Sequence, residues 1–302
     1  MSAQPKQSLA VNPHRSIEGI YKAPGLHWVG DGFRVAGYFS VIPNAVRKLD
    51  PFLLLDYHPA YHYAPSEKPR GVGVHPHRGF ETVTLAFQGS VAHHDSTGAG
   101  GVIGPGDVQW MTAASGILHK EYHEANFSRQ GGTFQMAQLW VNLPKTHKMG
   151  SPRYQGIVAK DMGQVRLPHE AGLVRVVAGT FQGVKGPAMT HSPMSLLDIQ
   201  LNEGGTVSLD FPAAFSLGMV VMAGDISIND SANATLHDFI VFERDGEHVL
   251  VNAKTKSQLL VMAGQPLNEP IVQYGPFVMN TEREIQEAFV DFQGGRFGYL
   301  ED

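Results

Sequence analysis

Glycine sets the rhythm of this chain. Gly71, Gly73, Gly79, Gly89, Gly98, Gly100, Gly101, Gly104 and Gly106 follow one another closely, with short apolar or alternating runs between them. Turns at that spacing leave room for short strands and none for long helices, which is the pattern of an all-β sandwich or barrel. In 82–87, Val83, Leu85 and Phe87 alternate with Thr82, Thr84 and Ala86. Similar runs occupy 172–178, 218–223, 249–251 and 258–263. In the second half, "MVVMAGDISIND" and "QLLVMAG" repeat the texture, each an apolar strand that ends at a glycine.

A chain of 302 residues fits two domains of ordinary size. The strand rhythm lapses over "KTHKMGSPRYQG", so the linker is expected within 145–160 and the domains at 15–150 and 151–302. One helix is expected near the C-terminus. Thr281 and Glu284 form a capping box, Ile285, Ala288, Phe289 and Phe292 follow at helical spacing, and Gly294 and Gly295 end it. That helix reads as an amphipathic element packed on a barrel wall.

Composition removes several functions. There is no cysteine, which excludes disulfides, thiolate ligands, iron–sulfur clusters and cysteine nucleophiles. Any metal site must then be built from histidine and carboxylate. The net charge is −5 and no Lys/Arg cluster occurs, which argues against direct nucleic-acid binding. Residues 1–15 are polar and do not read as a signal peptide. No apolar run reaches the roughly 18 residues of a membrane span, so no membrane association is expected. The cytoplasm is the expected compartment.

The histidines carry the chemistry. In "GVGVHPHRGFETVTLAFQG", His75 and His77 are two apart. Side chains i and i+2 of a strand share a face, so this pair can grip one ion from one side. In "GPGDVQWMTAASGILHKEYHE", His119 and Glu121 repeat that spacing. Two strands thus each offer a one-face pair, and His75, His77, His119 and Glu121 are the expected ligands. Three imidazoles and a carboxylate suit several divalent transition metals and leave positions open for catalysis. Glu81 keeps the parity of the His75–His77 pair if no bulge intervenes. His123 shares parity with His119 and Glu121, but its distance along the strand places it outside the ligand set. His93 or His94 is a candidate hydrogen-bond partner of a ligand. His58, His62, His169, His191, His237 and His248 are isolated and read as surface or hydrogen-bonded core residues.

Other catalytic patterns are missing. "HKEYH" resembles the zinc-protease helix motif but lacks Glu directly after the first His and follows a glycine turn. No G-x-S-x-G elbow and no phosphate-binding glycine motif is present.

At "HPHRGFET", "PGDVQWMTAASGILHKE", "LWVNLP" and "EPIVQYGPFVMNT" the chain resembles the pirin family, over about 19–292. Pirins belong to the cupin superfamily, so the resemblance implies two tandem cupin barrels with a short C-terminal helix. It implies metal in the N-terminal barrel alone, on His75, His77, His119 and Glu121. Glu81, the ligand of the general cupin motif, is not a usual pirin ligand. The second half has no H-x-H pair and is expected to be metal-free. The family is similar to quercetin dioxygenases, which implies flavonol cleavage with O₂ and Glu121 as general base. Fe(II) is the expected metal; Zn, Ni, Mn, Co and Cu also suit the ligands. Relatives also act as metal-dependent regulators of protein partners. A regulatory binder without turnover is therefore the rival, and a storage or sensing cupin the third alternative.

Overall fold

The alternation in the sequence becomes two antiparallel barrels in a computed structural model of the chain, which describes residues 14–301. The expectation that residues 1–15 carry no leader falls almost wholly outside the described residues. The first barrel has a seven-stranded sheet in the order Arg153–Ile157, Val108–Thr112, Phe80–Gln88, Gly132–Asn142, Phe52–Tyr63, Phe33–Gly37, His27–Val29. Its second sheet runs Gly71–His77, Ile117–His123, Val91–Asp95, Gly100–Ile103. The second barrel repeats the plan. Its large sheet contains Met194–Leu201, Ser216–Ala223 and Ser257–Gly264, and its small one Thr206–Asp210, His248–Ala253, Ile226–Ile228 and Ala232–Ala234. The all-β class and the C-terminal helix, Glu282–Gln293, are as expected.

The two large sheets pack against each other. Val83, Leu85, Trp110 and Leu139 of the first share one core with Val177, Leu196, Met222, Leu260 and Met262 of the second. The interior of the second barrel is apolar, filled by Val174, Leu197, Leu209, Val221, Ile240, Val251 and their neighbours. Burying these side chains is the main stabilising term of both halves.

The strands do not respect the expected limits of 15–150 and 151–302. Ile17–Lys22 pairs with Asp238–Phe242 and belongs to the second barrel. Arg153–Ile157, placed in the linker by its polar Gly/Pro composition, pairs with Val108–Thr112 and edges the first barrel's sheet. The C-terminal segment also crosses over. Phe277 bridges to Arg78, and the Val278 amide donates to the Arg78 carbonyl at 3.0 Å. Short edge pairings of this kind have no hydrophobic run long enough to announce them.

The C-terminal segment is fastened at two cationic side chains. Arg78, 4% exposed, donates Nε to the Ser115 carbonyl at 2.6 Å and pairs with Asp291 at 2.8 Å. Its guanidinium lies 4.7 Å from the centre of the Phe297 ring. Lys148 is buried and donates Nζ to the carbonyls of Gly79 and Val278, at 2.7 and 3.0 Å. Gly79 has φ +89°, and a Cβ there would stand 1.9 Å from the Val278 carbonyl oxygen. Only glycine permits this approach. The helix that follows is capped as the sequence predicts: Glu284 N–H donates to Thr281 Oγ1, and Thr281 N–H to Glu284 Oε2.

Candidate metal centre

Strand Ile117–His123 alternates strictly in burial, with Ile117, His119, Glu121 and His123 turned inward. Its neighbour Gly71–His77 pairs so that His75 lies opposite His119 and His77 opposite Ile117. One face of two adjacent strands therefore gathers three imidazoles. The nitrogens that they offer lie within 4.8 Å of one another. The ring centres of His75 and His119 are 4.2 Å apart, those of His77 and His119 4.8 Å, and those of His75 and His77 4.9 Å.

Each imidazole is anchored through Nδ1. His75 Nδ1 is 2.8 Å from the Gly73 carbonyl, and His77 Nδ1 is 3.4 Å from the Pro276 carbonyl. His119 Nδ1 is 3.1 Å from His93 Nε2. A ring nitrogen that donates to a carbonyl carries the proton, so the other nitrogen keeps its lone pair. With Nδ1 so engaged, Nε2 is the nitrogen that each ring can offer to an ion. Burial holds His77 and His119 well below the usual histidine range, in the neutral form that ligates. His119 Nε2 is buried and has no hydrogen-bond partner among the described residues. An orphaned, neutral nitrogen beside two more is what a divalent ion would satisfy, so the residues fit a metal.

Glu121 stands one step away from this trio, which does not include it. A register shift between His119 and Glu121 sets Glu121 opposite Val72. Its carboxylate accepts from Gln138 Nε2 at 2.9 Å and from Thr84 Oγ1 at 3.3 Å. Burial pushes its pKa up, against the opposing pull of the Gln138 bond. Both polar partners were outside the sequence analysis, although the parity of Thr84 in its alternating strand could have found it.

Glu81 is a correction. It does not share a face with His75 and His77, because the chain turns at Arg78–Gly79 before strand Phe80–Gln88 begins. Glu81 has the parity of Val83 and Leu85 and faces the core between the barrels. It accepts from Thr112 Oγ1 at 2.6 Å, with His191 Nε2 at 3.9 Å, and burial pushes its pKa up to about 7.

Of the adjacent pair, His93 is the residue that meets the trio, at His119. Its ring stacks on Tyr154, 5.3 Å between centres, and desolvation lowers its pKa to about 3. His94 is exposed and bonds to the Tyr122 hydroxyl. His123 donates Nε2–H to the Gly32 carbonyl at 2.9 Å, away from the trio. The isolated histidines are as expected: His62, His169 and His248 are exposed, His191 and His237 half-buried, and His58 is buried against the Tyr63 hydroxyl.

Comparison with known proteins follows the same two-part plan. The family model described as Pirin matches residues 32–141, and that described as Pirin C-terminal cupin domain matches 196–298. The chain is 50% identical over 284 residues to a Pseudomonas aeruginosa protein provisionally named a quercetin 2,3-dioxygenase, covering 94% of this chain and 98% of that one. It is 36% identical to human Pirin, covering 99% and 96%. A crystal structure of quercetin 2,3-dioxygenase from Acinetobacter baumannii superposes with a TM-score of 0.91 at 45% identity, over 95% of this chain and 99% of that one. Among the described residues, no helix is long and apolar enough to cross a membrane.

Proposed function

The chain belongs to the pirin family, and on that footing we propose that it is a metal-dependent dioxygenase that opens flavonols such as quercetin with O₂. One observation carries the proposal. Three imidazoles, each with a hydrogen-bond partner at Nδ1, offer nitrogens within 4.8 Å of one another, and the buried His119 Nε2 has no partner among the described residues. His75, His77, His119 and Glu121 are the proposed ligands of a single ion, with Fe(II) the first choice. We assign metal binding to 15–150 without its first strand and structural support to 151–302. The reducing cytoplasm is the proposed compartment, in keeping with a chain that has no cysteine.

A divalent ion held there supplies Lewis acidity, which favours the deprotonated flavonol. Glu121 takes the proton of the flavonol hydroxyl on a carboxylate oxygen. Its burial raises its proton affinity, which suits a base that must hold that proton. The Gln138 amide and Thr84 hydroxyl keep the carboxylate oriented as it changes charge. His93 fixes the ring of His119 through Nδ1. Phe80 and Trp140 pack beside His77 and exclude water from that side. O₂ adds to the electron-rich ring, and ring opening releases carbon monoxide and a depside.

The test is oxygen uptake. Protein loaded anaerobically with Fe(II) is mixed with quercetin and air, with Glu121→Ala as the control. Uptake that matches flavonol loss and is absent in the variant supports the enzyme. No uptake by protein that holds its metal sinks it and moves the weight to a regulatory binder.

A further inference from the structure

The wall of the first barrel that faces Glu121 carries buried polar atoms with nothing to bind. Its composition follows from strand register. Thr84 Oγ1 touches Glu121, so Thr84 faces the barrel interior. Residues directly opposite one another in neighbouring strands share a face. Thr84 lies opposite Gln138 on one side and Gln109 on the other. Thr82, two residues back, lies opposite Trp140 and Met111. Two rows of side chains therefore look across at the metal donors, one of Gln138, Thr84 and Gln109, the other of Trp140, Thr82 and Met111. The Trp140 ring is 5.2 Å from that of His77, which places the second row against the trio.

Gln138 and Thr84 spend their hydrogen bonds on Glu121. The others have no such use. Gln109 is 0% exposed, and among the described residues neither its Oε1 nor its Nε2 has a partner. Thr82, also 0% exposed, has an Oγ1 without a partner among them, and the buried Trp140 indole N–H is in the same position. A buried amide left wholly unpaired is rare and calls for an occupant that supplies its hydrogen bonds. The row ends on Gly156, opposite Gln109, an exposed residue with no side chain to close the sheet edge.

We propose that Gln109, with Thr82 and Trp140, is the polar face that receives the substrate's oxygens and selects it. The proposal rests on the flavonol reading above and deepens it. A primary amide both donates and accepts, and Trp140 donates only. Such a face fits a planar aromatic that presents a carbonyl next to a hydroxyl. Gln109 Nε2–H and Trp140 Nε1–H donate to oxygen lone pairs, while Gln109 Oε1 and Thr82 Oγ1 accept from hydroxyls. None of the three is a proposed metal ligand, so their part is positioning and specificity.

Anaerobic titration of the metal-loaded protein with quercetin tests it, followed by the shift of the flavonol absorption band. A flavone lacking the 3-hydroxyl is titrated beside it, and metal content is measured separately. Gln109→Leu and Thr82→Val are expected to keep their metal and to bind quercetin about tenfold more weakly. They are also expected to lose the preference for quercetin over the deoxygenated flavone. Thr82→Val is nearly isosteric and covers the case in which Gln109→Leu fails to fold. Unchanged affinity and unchanged preference in a folded variant overturn this proposal alone, leaving ordered water as the occupant. Wild-type protein that holds metal yet neither binds nor consumes quercetin overturns the flavonol reading, and this proposal with it.

Discussion

His93 Nε2 lies 3.1 Å from His119 Nδ1, so one buried imidazole holds another. His119 can ligate through Nε2 only if Nδ1 carries the proton, and His93 Nε2 is the acceptor that keeps it there. His93→Phe preserves a ring to stack on Tyr154 but removes that acceptor. We expect a folded variant that binds metal about 10- to 100-fold more weakly, with His93→Gln recovering part of the loss. Competition with a chelating dye reads the affinity directly. Equal affinity in wild type and His93→Phe would show that the contact does not position His119.

The ligand assignment makes its own demand. His77→Ala and Glu121→Ala should both fold, as judged by circular dichroism, and both should carry far less metal than the parent. Full metal stoichiometry in the two variants refutes the assignment. Loss in His77→Ala with retention in Glu121→Ala would leave the three imidazoles as ligands and Glu121 as a base alone. That second outcome is physically open because Gln138 and Thr84 already occupy the carboxylate.

Glu81 governs stability rather than metal. Its pKa in the fold is about 7, above the usual 4.5, because burial penalises the charge. Between those values the native protein binds more protons than the unfolded chain. Stability attributable to Glu81 therefore falls as pH rises from about 4.5 to about 7, and stays low above that. Glu81→Gln should match the parent near pH 4.5 and exceed it at pH 8 by about 3 kcal/mol. Urea unfolding across that range gives the answer, and a parallel pH dependence in parent and variant would contradict it.

The clasp at Arg78 links the C-terminal segment to the proposed metal centre. Arg78→Ala removes a buried ion pair with Asp291, a bond to the Ser115 carbonyl and the contact with Phe297. A loss of about 3 kcal/mol is expected from leaving these partners unpaired. Metal affinity should fall as well, since Pro276, two residues from Arg78's own carbonyl partner Val278, holds His77. Calorimetric unfolding with and without metal separates the two effects. An unchanged midpoint would mean that the Arg78 side chain adds nothing to the hold of the C-terminal segment on the first barrel.

The legible part of the site was local. His75–His77 and His119–Glu121 could be read because period-2 parity is written into the strand itself, and Ile117–His123 obeys it residue by residue. The capping box at Thr281 was legible for the same reason, since its signal spans three residues. Glu81 would have shared the face of His75 and His77 only along an unbroken strand, and the turn at Gly79, with its left-handed backbone, resets the face. The partners that tune the site come from distant parts of the chain, Gln138 to Glu121 and Pro276 to His77, and Ile17–Lys22 joins the second barrel from as far away. Each depends on tertiary register, and no local pattern encodes it.

The crossing of the C-terminal segment onto the first barrel fixes when the centre can be finished. His77 takes its anchor from Pro276, and the turn behind it is tied to Val278 through Lys148. During synthesis all four proposed ligands leave the ribosome long before those residues do. The nascent first barrel can therefore collapse, with Phe80 and Trp140 against His77, but His77 Nδ1 lacks its bond to the Pro276 carbonyl until that residue is made. A polypeptide that stops short of Pro276 carries every proposed ligand and lacks that one anchor. On the proposed ligand set, a centre with all three imidazoles anchored forms only after the segment around Pro276 has crossed onto the first barrel.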